Sequence, residues 1–197
     1  MLGGVPAFGL IVFTAAEQRR LSAAQVQENS LRMARLASAT QERLIEGARQ
    51  VLLILSRMPE VRGDDAEAAN ALLAEILGLY PLYANFGVVN LDGSVFASGL
   101  LIPGLSELDL SDRAYVVRAL EREGFAMGDY QIGRITGIAT VNFGHPVRDG
   151  DGRIIRIVYS ALDLKWLEEL AEESDLPAGA MLLVVDKRGT QPGGGGV

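Results

Sequence analysis

The chain has no cysteine, which excludes disulfides, thiolate nucleophiles and cysteine-bound metals. That absence suits any redox compartment and so locates nothing. His145 is the single histidine, too few for a histidine metal cluster. Lysine is almost missing, with two lysines against sixteen arginines. No phosphate-loop lysine motif and no serine elbow occurs. Gly133 to Gly137, "GRITG", is too short for a dinucleotide fingerprint. Asp149 and Asp151 stand in a turn, without the twelfth-position glutamate of a calcium loop. Positive charge is in deficit as well, with 25 acidic against 18 basic residues and a net charge of −7. A nucleic-acid partner needs clustered positive charge. These absences lead to an expectation of no enzyme activity, no cofactor, no metal and no nucleic acid.

What is present is enough for one domain with a core and an appendage: 197 residues, 49% of them hydrophobic. Charge is uneven. Residues 17–62 carry eight arginines and five glutamates, a local +3, which leaves about −10 elsewhere. Residues 1–16 hold no charge and include Phe8, Leu10, Ile11, Val12 and Phe13. The run is shorter than the roughly 20 residues of a membrane helix. It reads as a partial transmembrane or signal-like segment.

Residues 17–58 contain a single glycine, Gly47, and no proline before Pro59. This predicts a long stalk helix of roughly 60 Å. Leu31, Ala34, Ser38, Gln41, Ile45, Ala48, Leu52 and Leu55 recur at spacings of three and four, one seam of a helix that could pair with a twin. A shorter helix is predicted over 66–77. The period then changes to two. Strands are predicted at Phe86–Asn90, Val95–Ser98, Ala126–Ile132, Ala139–Val147 and Arg153–Leu162. Leu91-Asp92-Gly93 and Arg148-Asp149-Gly150-Asp151-Gly152 are the turn signals. Ser111 or Asp112 is expected to cap a helix running to Glu121. The short links allow hairpins and leave no room for βαβ crossovers. The expected fold is α+β, a five-stranded antiparallel sheet with helices on one side. A helix from Asp163 to about Ser174 and a strand-like run at Met181–Asp186 follow.

In order, "VVNLDGSVFASG" (Val88–Gly99), "LSDRAYVVRAL" (Leu110–Leu120), "GDYQIGRITG" (Gly128–Gly137) and "HPVRDGDGRIIRIVYSALDLKWLEEL" (His145–Leu170) resemble the double Cache sensor domains of bacterial membrane receptors. These PAS-like modules occur in sensor histidine kinases, diguanylate cyclases and chemoreceptors. The final "LPAGAMLLVVDKRG" resembles the entry to the second, membrane-proximal module. The resemblance implies a membrane-distal module over 59–175 and a truncated second module over 176–197. It implies a bacterial cell membrane location with the sensing part extracytoplasmic, a small-molecule ligand, and a homodimer through the long helix.

The resemblance also implies a site. Arg113 matches the family's arginine and Tyr115 its first aromatic, while Val116 stands where a second aromatic is expected. Asp163 matches the acid at the end of the last strand. An arginine fork suits a carboxylate, and a tyrosine adds surface and a hydroxyl. A small organic acid or an amino-acid-like ligand would fit. Arg113 could instead pair with Asp112, Glu107 or Asp109, and Asp163 could merely cap the following helix. Tyr130, Asn142 and His145 complete the candidates. Asp129 and Tyr130 point opposite ways on a regular strand, so at most one faces a pocket. Asn142 is polar in an apolar strand, and His145 shares parity with Val141 and Phe143.

Overall fold

The computed structural model describes residues 42–165. The segment 1–16, the seam before residue 42, the exit helix beyond 165, the Met181–Asp186 run and the tail lie outside the described residues. Residues 42–55 are helical (α1), and Ala48, Leu52 and Leu55 are buried. Among the described residues no helix is long and apolar enough to cross a membrane.

A short helix α2 (Pro59–Arg62) begins on the proline, whose fixed φ suits a first helical turn. Helix α3 (Ala66–Leu79) follows. Asp65 caps it, accepting from the Glu67 and Ala68 amides at 3.0 Å each. It runs two residues past the predicted end, until Tyr80 leaves helical geometry.

The strands are β1 (Tyr83–Asn90), β2 (Val95–Ser98), β3 (Ala126–Ile132), β4 (Ala139–Arg148) and β5 (Ile154–Asp163). All pairings are antiparallel, in the order β2-β1-β5-β4-β3. All five predicted strands exist, and β1 begins three residues earlier than expected. Helix α4 (Ala114–Glu121) lies between β2 and β3 in sequence. The last strand among the described residues, β5, is the middle strand in space. Its central run from Ile157 to Leu162 is buried without interruption, the pattern of a strand covered on both faces.

Both faces are indeed covered, which corrects the expectation of helices on one side. Val89, Ile157 and Tyr159 pack with Tyr115, Val116 and Ala119 of α4 in one core cluster. On the opposite face, Arg156 reaches the end of α2. It donates to the Gly63 carbonyl at 2.6 Å and to Asp64 Oδ1 at 2.9 Å, with its guanidinium 3.8 Å from the Phe96 ring centroid. Phe143, on that same face by alternation, stacks on Phe125 at 5.7 Å, and Arg49 of α1 lies 4.2 Å above Phe125. The α3 cap residue Tyr80 meets Tyr83 and Phe86 edge-on at 6.2 Å each.

Candidate functional site

Three strands and α4 meet around Tyr159. Its register partners are Gly87 on β1 and Gly144 on β4. A Cβ on Gly87 would lie 2.5 Å from the Tyr159 ring, and one on Gly144 would lie 2.6 Å from the Tyr115 carbonyl oxygen. The missing side chains let one tyrosine ring lie across the sheet and let the α4 backbone approach β4. Tyr115 then packs on Tyr159, with centroids 5.3 Å apart.

Next to these rings is a small cavity of about 10 Å³, room for about one water molecule. Asn85, Arg113, Tyr115, Asn142 and Tyr159 are among the residues lining it from α4 and the sheet. Gln131, at the end of β3, and Gly133, Arg134, Ile135 and Thr136 of the β3–β4 loop close it. The loop is held from within by Gly133 N–H donating to the Ile138 carbonyl and Gly137 N–H to the Gly133 carbonyl, each at 2.9 Å. It is held from outside by Arg134. That guanidinium donates to both oxygens of Asp112, at 2.6 and 2.8 Å, and also to the Asp109 carbonyl. Bonding to Arg134 holds the Asp112 carboxyl below its ordinary range.

Asp112 is therefore spent on the loop and does not cap α4. The cap position is Arg113, with no side-chain capping bond, a correction to the expected Ser111 or Asp112 cap. Arg113 pairs with none of the three acids offered as its partners. Its Nη1 donates to neutral Gln131 Oε1 at 3.1 Å. Its Nε is buried without a partner, as are Asn142 Oδ1 and Thr136 Oγ1 in the same lining, and Thr140 Oγ1 one step along the same face of β4. Buried polar atoms ordinarily find partners, so four such atoms in one place mark a site able to take up a water or a ligand atom.

The two tyrosines are neutral at any physiological pH. Burial pushes the Tyr115 hydroxyl well above its ordinary value, against the smaller pull of the Arg113 charge and the Asn142 amide. Burial does the same to Tyr159, whose oxygen accepts from Asn85 Nδ2 at 3.2 Å. Asn85 is otherwise committed, donating to Ser98 Oγ at 2.9 Å and accepting from the Leu100 amide at 3.1 Å.

Of the six sequence candidates, the structure brings Arg113, Tyr115 and Asn142 together on the cavity. Tyr130, His145 and Asp163 are not in its lining. Tyr130 pairs with Val141 across the β3–β4 ladder. It therefore shares the face of Phe143, away from the cavity, because an irregularity between Met127 and Tyr130 resets the alternation. Asp129 bonds Arg118 of α4 through both oxygens at 2.9 Å. His145 also lies on the Phe143 face. Burial lowers its pKa, helped by the charges of Arg148, Arg49 and Arg57. Asp163 ends β5 and accepts from the Lys165 amide at 2.9 Å. Sequence reading missed Gln131, Arg134 and Thr136. Only the glycines flanking "RIT" signalled a tight loop there.

Among the described residues no group of three or more acidic, histidine or cysteine side chains could hold a metal. Asp149 Oδ1 accepts from the Asp151 and Arg153 amides at 2.9 Å each, which is turn chemistry.

Comparison with known proteins adds the fold relationship. No family model and no curated protein matches the chain. Solved structures do. The sensor domain of the V. cholerae histidine kinase DctB superposes with a TM-score of 0.64 at 15% identity, over 77% of this chain and 61% of that one. The ligand-binding domain of Mlp24 with asparagine gives 0.62 at 15% identity, over 77% and 63%. That of the Campylobacter jejuni chemoreceptor Tlp3 in complex with L-valine gives 0.63 at 11% identity, over 79% and 66%. The fold is PAS-like, with the Cache topology, and is similar to that of these sensor and ligand-binding domains. This chain spans only about three fifths of the DctB and Mlp24 domains.

Proposed function

We propose that this chain is the extracytoplasmic sensing input of a bacterial membrane receptor, and that it binds a small organic acid or an amino-acid-like ligand beside Arg113, Tyr115 and Asn142. One observation carries the reading. Arg113 Nε, Asn142 Oδ1 and Thr136 Oγ1 are buried, unpartnered and arranged around a single cavity, in a fold shared with ligand-binding domains. Asparagine and L-valine, the ligands of two of those structures, each carry a carboxylate, the group an arginine fork complements. The cavity as it stands takes about one water, so a ligand enters as the β3–β4 loop opens, and the loop then settles over it with Thr136 still in the lining. The Arg134–Asp112 pair that resists this is partly exposed, and such pairs are worth less than about 1 kcal/mol. Attachment to the membrane through residues 1–16 and pairing through the 31–55 seam belong to the same proposal.

A second reading is favoured by the size of that cavity: a structural or dimerisation module that binds nothing, with the long helix as its working part. A melting screen of the chain against small carboxylates and amino acids separates the two. A concentration-dependent rise in Tm that vanishes in Arg113→Ala, with folding intact, supports sensing. No shift across the screen supports the structural module. A secreted binding protein is the remaining alternative. Recovery of the chain in the soluble extracytoplasmic fraction, with its first sixteen residues removed, would establish it.

A further inference from the structure

We infer that the cavity selects carboxylates without an α-ammonium group, so that a hydroxy or oxo acid binds and the amino acid of the same carbon skeleton does not. This rests on the small-molecule reading above and narrows it. Two cations line the cavity, Arg113 and Arg134, and no aspartate or glutamate does. Arg134 is offset by its bidentate bond to Asp112. Arg113 faces only the neutral Gln131 amide among its side-chain hydrogen bonds. The charge inside the lining is therefore positive and suits one carboxylate. The unpartnered groups left for the rest of a ligand are neutral: Asn142 Oδ1 and Thr136 Oγ1.

An ammonium group placed there would lose its water beside a guanidinium, with no carboxylate in the lining to offset the loss, the neighbouring Asp112 being already held by Arg134. A ligand hydroxyl would instead donate to Asn142 Oδ1, or a keto oxygen accept from the Thr136 hydroxyl, both now without a partner. Asp163 is the acid on the same strand face. It lies two residues beyond Ala161, about 7 Å along β5, and its Oδ1 accepts from the Lys165 amide. Ile135 and Leu110 also line the cavity and offer no charge.

Isothermal titration of the full chain with matched pairs tests this: lactate against alanine, and malate against aspartate. The expected result is at least tenfold tighter binding of the acid in one pair. Equal or tighter binding of the amino acid overturns the inference and leaves the sensing proposal standing. Binding by no member of either pair, nor by any compound in the wider screen, overturns both. Asn142→Asp places a carboxylate in the lining and is expected to move the preference toward the amino acid. Gln131→Glu neutralises Arg113 and is expected to weaken the acid at least tenfold. If both variants fold and the acid binds each as it binds the unmodified chain, recognition is elsewhere and the inference fails.

Discussion

On the sheet face toward α1 and α2, Phe86, Val88, Phe143, Val147 and Val158 are buried, most of them completely. On the face beneath α4, the same strands present Asn85, Thr140, Asn142 and Tyr159, equally buried. The first face is mostly carbon against carbon, where burial stabilises at about 25 cal/mol per Å². The second has similar burial but keeps four polar atoms without partners on or beside the cavity, each a cost of about 1–3 kcal/mol unless water or ligand reaches it. The comparison separates a face built to hold the fold from one that gives up stability to keep polar groups available. It is not absolute. Ser160 Oγ and His145 Nδ1 are also buried without partners on the first face.

The largest expected effect breaks the apolar face. Leu52, fully buried on α1, should cost about 2–5 kcal/mol as Leu52→Ala in urea unfolding, with no change in ligand selectivity. Next come the glycines that build the polar face. Gly144→Ala drives a Cβ to 2.6 Å from the Tyr115 carbonyl oxygen, so α4 must lift. About 1–3 kcal/mol should be lost, together with any binding. A Gly144→Ala protein of unchanged Tm would show that α4 does not rest on β4 as described.

Asn142→Leu sharpens the contrast from the other side. It removes a buried unpartnered acceptor together with the amide that bonds the Tyr115 hydroxyl, so stability should change by no more than about 1 kcal/mol in either direction while binding is lost. A drop of more than about 2 kcal/mol would mean Asn142 is a satisfied structural group, since losing one such partner costs about that much.

Acid tests the two faces separately. On the apolar face, burial keeps the His145 pKa below its ordinary 6.5. Its contribution to stability is therefore present above that value and lost as pH falls through the lowered folded-state pKa. His145→Gln should flatten the stability curve in that window. On the polar face, Asp112 is held below the ordinary carboxylate value of 3.8. Its hold on Arg134 persists above that pH and is released as pH falls through the lower, folded-state value. Arg134→Ala should mimic that release near neutrality. The expected stability change is smallest here, under about 1 kcal/mol, and the readout is faster amide exchange at Gly133 and Gly137. Unchanged exchange would show that Arg134 does not hold the loop.

The extent to which all this was legible varied by residue. The turns were plain, because Gly93 and Gly152 adopt positive φ, which side chains resist. Strands followed from period and composition. Arg113 and Tyr115 were singled out by their resemblance to a family pattern and Asn142 by its polarity inside an apolar strand, and all three line the cavity. The misplaced expectations have specific causes. Tyr130 faces away because of an irregularity within β3 that its composition does not signal. The α4 cap was misread because Asp112 has a stronger partner, Arg134, 22 residues away in sequence.

Local chemistry alone was enough to set which segments are helix and which are strand, to within a few residues, and which residues could bear charge in a site. Tertiary structure decided that β5 occupies the centre of the sheet, that helices cover both faces, and that the "GRITG" loop folds over Arg113. Strand order and loop closure join residues tens of positions apart, through pairings such as Gly87 with Tyr159. The geometry of those pairings depends on packing that no short window of residues contains.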